Sequence, residues 1–202
     1  MQNEISGFGD NAVATLQANV AIPEGMEQAG HYHVVCRDAN GNLKWEEEFP
    51  NLVVAIGKQL MLDTLLRTSG TYTTVGPFLG LTNATLTPAA TDTMTTLVGG
   101  SKEFTNYTVG GSAVRGTAVF AASSSSGSTP SNVTTSTATA ITYTITGAGG
   151  TVYGCFLVTG SGAVSTQSST AGTLYSEGNF ATAKATTAGD TVSVTYSTTA
   201  TS

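Results

Sequence analysis

Few residues in this chain could do chemistry, and most of those lie near its start. His31 and His33 form an H-x-H on one strand face. Two imidazoles so placed can hold a metal if a third ligand comes from elsewhere. No Cys or acidic residue stands at a supporting spacing, so the pair reads as a half-exposed strand face. Asp38-x-Asn40-x-Asn42 opens like a calcium loop, but Leu43 stands where the glycine belongs and Phe49 where the closing glutamate belongs. A hairpin turn accounts for those residues. Glu46, Glu47 and Glu48 could supply a carboxylate for glycoside hydrolysis, which needs two on facing elements about 5–9 Å apart. Adjacent strand residues point to opposite faces, so the partner would be Asp92, Glu103, Glu177 or Asp190, each isolated in the sequence. A charged strand end that blocks stray edge pairing is the simpler reading.

Nucleophile and phosphate motifs are missing. The chain has no G-x-S-x-G elbow, no P-loop and no G-x-G-x-x-G after a strand. Cys155 lies inside the apolar run YGCFLV, where a catalytic thiol would be starved of water and positive charge. Cys36 and Cys155 read as two buried free thiols of a protein made in a reducing cytosol. A disulfide would require the fold to bring them together, and their spacing does not suit zinc. Trp45, Tyr72, Tyr107 and Tyr153 are the aromatics on which a sugar could stack. The sequence therefore predicts no catalytic, metal or cofactor site and no enzyme.

Charge narrows the partners. The net charge is −6, with seven basic residues scattered over 202 positions. Binding nucleic acid by phosphate neutralisation needs clustered Lys and Arg, and an anionic membrane makes the same demand. The N-terminus lacks the basic start and apolar stretch of a secretory signal, and no apolar run approaches the ~20 residues of a membrane span. The sequons at Asn83, Asn106 and Asn132 read as accidents of a Thr-rich composition.

Thirteen of the twenty charged residues fall in the first 67 positions. The chain thus divides into a charged head and a hydroxyl-rich body. Residues 1–29 read as an N-terminal arm. Residues 31–49 alternate as a β-hairpin about Asn40–Gly41, whose type I′ turn needs positive φ at both central residues. Pro50 ends the second strand, and Asn51 is placed to cap a helix over 52–67. That helix shows a wide apolar stripe centred on Leu60, with Asp63 and Arg67 paired at i, i+4. Segments 78–82, 113–120, 140–146, 152–159, 172–180 and 190–198 read as strands bounded by Gly, Ser and Asn clusters. Residues 121–139 are low in complexity and read as an exposed loop. Strands so spaced predict an all-β, jelly-roll-like sandwich over 30–202 with one helix packed on it.

Five segments in fixed order resemble a group of tailed-bacteriophage virion proteins. They are E-x-x-N-L-V-x-x-x-G at Glu48 to Gly57, the short strand at Gly80–Leu81, D-T-M at Asp92–Met94, the G-x-F-L strand at Gly154 to Leu157, and A-G-D-T-x-x-V-x-Y at Ala188 to Tyr196. The resemblance spans about residues 43–198. An aromatic frequent after D-T-M in that group is replaced here by Gly99–Gly100. The resemblance implies a cement or decoration protein that binds the major capsid protein, as a homo-oligomer (dimer or trimer), in a virion assembled in the host cytoplasm. It also leaves open a tail or fibre component that binds host glycan. It carries over no catalytic residue. Low charge suits such a role, because charged groups are depleted in interface cores.

Overall fold

Alternation of apolar and polar residues builds two antiparallel sheets that pack face to face. The computed structural model describes residues 27–67, 75–123, 131–133 and 140–201. Sheet A runs in the order β2 (Leu43–Pro50), β1 (Glu27–Arg37), β12 (Thr191–Thr201), β9 (Ile141–Ile145) and β6 (Tyr107–Thr108), with β8 (Ser131–Val133) also pairing β12. Sheet B runs β3 (Leu52–Val53), β11 (Thr173–Thr186), β10 (Gly150–Thr159), β4 (Phe78–Thr82) and β5 (Glu103–Phe104), with β7 (Gly116–Thr117) also on β4. Every second residue of β1 and β12 faces inward. Tyr32, Val34, Cys36, Val192, Val194 and Tyr196 are all fully buried against Leu79, Leu81, Cys155 and Leu157 of sheet B. The result is the all-β sandwich that the strand spacing predicts.

Sheet B is covered on its outer face as well. Phe156, Val158 and Leu174 form a second apolar cluster there with Val54, Leu86, Met94, Leu97 and Val98. The covering comes from α1 (Ala55–Leu66) and from residues 83–102, which include α2 (Met94–Val98). This explains why β10 reads as a continuous apolar run and not an alternating one. A strand buried on both faces has no solvent side to mark with polar residues.

The helix departs from expectation in three ways. It starts at Ala55, because Leu52 and Val53 pair with Glu177 and Ser176 as β3. Asn51 caps nothing. Its amide nitrogen donates to the Tyr196 hydroxyl at 2.8 Å, and the N-cap position is Val54, without a side-chain bond. The apolar stripe is not covered all round either. Gly57 is the fully buried residue of α1, Leu60 is half-buried, and Leu65 and Leu66 are each 74% exposed. Gly57 sits so close to β11 that a Cβ would fall 2.6 Å from the Tyr175 carbonyl oxygen. Asp63 and Arg67 do meet, at 3.7 Å.

Other boundaries moved less. The β1–β2 turn is a five-residue loop, Asp38 to Asn42, and not a two-residue one, with positive φ at Gly41 (86°) and not at Asn40. The segment 113–120 yields only β7 and isolated bridges at Val114 and Phe120, because it turns through the site of a buried arginine described below. Within the predicted loop 121–139, residues 131–133 form β8 on the edge of β12. Residues 1–26, most of the predicted arm, lie outside the described residues, as do 124–130 and 134–139 of that loop and Tyr72.

The close approach at Gly57 generates a test whose sign opposes helix propensity. Alanine favours a helix over glycine by about 1 kcal/mol. Here its methyl must push α1 away from the β11 backbone, and overpacking of this kind costs about 1–3 kcal/mol. Gly57→Ala should lower the melting temperature. A rise would show that α1 has room to move off the sheet.

Candidate functional site

The charges of the body gather where the sequence left them isolated. Arg115 is 1% exposed and Glu103 6%. The two form a bidentate pair, Nε to Oε1 and Nη2 to Oε2, each 2.8 Å long. Arg115 Nη2 also donates to the Ser169 carbonyl at 2.7 Å, and Ser168 N–H donates to Glu103 Oε2 at 2.8 Å. The guanidinium lies over the Phe156 ring at 5.2 Å. A buried charge needs this density of partners. The pair therefore pins the 161–171 segment to the edge of sheet B.

The second pair is of like charge. Glu177 on β11 is 2% exposed and faces Asp92, which lies just ahead of α2. Asp92 is well supplied: Ala89 N–H donates to Oδ2 at 2.8 Å and the Thr96 hydroxyl donates to Oδ1 at 3.3 Å. One oxygen of Glu177 meets no donor among the described residues. Burial, and then the neighbouring Asp92, push the Glu177 carboxyl up to about 8. Burial pushes Asp92 the same way, but its bonds with Glu177, Ala89 and Thr96 outweigh it and hold Asp92 low. Two carboxyls pushed apart in this way are the pattern of a general acid and base. The cavity between them is about 10 Å³, room for one water at most. A space of that size does not admit an organic substrate.

The candidates of the acidic head are spoken for singly. His33 Nε2 meets Glu46 Oε1 at 2.7 Å on the outer face of sheet A. Glu47 bonds Lys184 at 2.7 Å and accepts from the Ala181 N–H, which ties β2 to β11 across one end of the sandwich. Asp38 accepts from Asn40 N–H, Asn42 N–H and the Asn42 amide, as the hairpin reading requires. Among the described residues no three His, Cys, Asp or Glu side chains gather as metal ligands. Cys36 and Cys155 are free and buried, and burial raises both thiols, Cys36 to about 11. Trp45 packs edge-on against Phe180 at 5.5 Å, and Tyr107 is buried at 1% exposure. Tyr153 instead lines an open polar cleft of about 440 Å³ with Asn83, Thr105, Asn106 and Thr151.

Asp190 closes the β11–β12 turn. It is 2% exposed, accepts from Lys44 Nζ at 2.6 Å and from Thr187 N–H at 2.8 Å, and so fastens the edge strand β2 to β12. No helix among the described residues is long and apolar enough to cross a membrane. No family model, curated protein or solved structure matches the chain.

Sequence reasoning missed Arg115. A signal was present: a lone Arg between Val114 and Gly116, in a body with so few charges, is a charge that must find a buried partner. Arg115→Met strands Glu103 in the interior and should cost about 3–5 kcal/mol in urea unfolding. Adding Glu103→Leu should restore part of that loss, and a double variant as weak as the single one would show that the arginine acts through packing alone. Asp190 gives a pH test. Burial raises its carboxyl, but the Lys44 ammonium and the Thr187 donors outweigh this and hold it low. A carboxyl held low stabilises the fold above its unfolded pKa, and that contribution is lost as the pH falls through the folded one. Lys44→Met should therefore move acid unfolding to higher pH, and an unshifted acid limb would acquit Lys44.

Proposed function

We propose that the chain is a structural protein of a tailed-phage virion, a cement or decoration subunit that binds the major capsid protein and strengthens the shell without chemistry. It would work as a dimer or trimer on the particle. The observation that carries this reading is the end of α1. Leu62, Leu65 and Leu66 are 47%, 74% and 74% exposed on a surface otherwise rich in Ser and Thr. A leucine ridge of this kind marks a surface that is covered in use. The order of the five virion-like segments supports the same reading. Edge strand β2 carries exposed Glu46 and Glu48, which discourage unwanted strand addition while the subunit is free.

A second reading, a tail or fibre module that binds host glycan, draws on the Tyr153 cleft. Its lining of two aromatic rings (Phe104 and Tyr153), two amides and three hydroxyls is the kind that suits a neutral sugar. Electron microscopy of the virion separates the two readings by position and copy number. A shell-wide lattice of density fits the first, and density at the tail vertex alone would replace it with the second. Leu65→Glu with Leu66→Glu should leave the sandwich folded, since both side chains are solvated. It should also reduce shell occupancy at least tenfold. Full occupancy by that variant would remove α1 from the interface.

A further inference from the structure

Residues 83–102 form a flap on the outer face of sheet B. Its underside carries Leu86, Met94, Leu97 and Val98, all buried. Its two ends are joined by the Asn83 N–H, which donates to the Lys102 carbonyl at 2.9 Å. Asn179 of β11 grips one side, donating to the Leu86 carbonyl at 3.0 Å and accepting from the Leu86 N–H at 2.9 Å. The other grips are the Ala55 N–H of α1, which donates to the Ala90 carbonyl at 2.8 Å, and Asp92 against Glu177. Among the described residues, Asp92 and Lys102 are the titratable groups that share a cavity with Glu177. No ion pair links Lys102 to either carboxyl. One oxygen of Glu177 lacks a donor, and the space holds one water at most. A single proton shared between the carboxyls satisfies this arrangement, while two full negative charges do not.

We propose that this flap is proton-locked: the Asp92–Glu177 pair holds residues 83–102 on sheet B while it shares one proton, and loosens them when both carboxyls ionise. Lifting the flap lets water reach Glu177 and returns it to ordinary carboxylate behaviour. The closed form then binds a proton that the open form does not. Opening releases that proton and is favoured by rising pH, by about tenfold per unit. The slope begins above the ordinary carboxylate range and levels near pH 8, where the closed pair itself ionises. Asp92 adds no slope in that window, because it stays ionised in both forms. The apolar underside of the flap and the Phe156 face of the sheet are what opening uncovers.

Hydrogen exchange of the whole chain at pH 5.5, 6.5, 7.5 and 8.5, corrected for intrinsic rates, tests this. Protection of amides in 83–102 should fall about tenfold per pH unit up to near pH 8, while the β1–β12 ladder holds constant. Glu177→Gln donates an amide to Asp92 without ionising, so its flap should stay protected throughout. Asp92→Asn supplies Glu177 with a donor and should flatten the slope too, which keeps the test alive if Glu177→Gln does not fold. A wild-type flap with no slope, or the same slope in a folded variant, overturns the lock.

Discussion

The ring of Phe156 lies where a side chain at position 80 would be. A Cβ on Gly80 would fall 2.4 Å from that ring, so only glycine lets β10 lay an aromatic across β4. Much of the outer layer is arranged around this contact. The Arg115 guanidinium covers the ring, Glu103 holds Arg115, and the main chain at Ser168 and Ser169 is held by the pair in turn. In the same cluster stand Val54 at the entry to α1 and Leu86, Met94, Leu97 and Val98 of the flap. A sandwich needs only its inner faces buried. Here a third layer has formed because an apolar strand at the middle of sheet B demands cover on both sides.

That layer contains two buried carboxylates handled in opposite ways. Glu103 receives a counter-ion, the Arg115 guanidinium, in a bidentate pair. Glu177 receives another carboxyl, and its stability depends on a proton drawn from solvent. The first solution gives rigidity to the segment after β10. The second gives a grip whose strength the medium sets. Both sit on one sheet face, so the outer layer combines a fixed anchor at the β5 side with an adjustable one at the β11 side.

The sequence showed the inner core well and the outer layer poorly, for a physical reason. Inner strands such as β1, β9 and β12 alternate with period two, which marks them locally. The boundaries of β4 are found as expected at 78–82 because glycine and asparagine flank it. The outer layer is made of contacts between distant segments. Five-residue α2 is too short to display a helical period, and the Glu103–Arg115 and Asp92–Glu177 partnerships leave no spacing signal. Asn51 illustrates the cost of reading locally. Its type and position suit a helix cap, but tertiary contact with Tyr196 claimed the amide. The wide stripe of α1 was visible as apolar residues, while the sequence could not say that half of it faces outward.

Strand β12 is the last in the described chain and is central to sheet A. It pairs with β1 in an eleven-residue register from Glu27↔Thr201 to Arg37↔Thr191, and on its other side it receives β9 and β8. The β1–β2 hairpin is therefore synthesised well before its partner β12, and Tyr32, Val34 and Cys36 stay uncovered until β12 arrives. Pairings this distant in sequence slow folding, because the loop entropy is lost before the contacts return it. Exposed apolar side chains and unpaired strand edges make such a hairpin prone to associate. Glu46 and Glu48 put charge on the hairpin's outer edge, where charge opposes stray strand pairing before sheet A is complete.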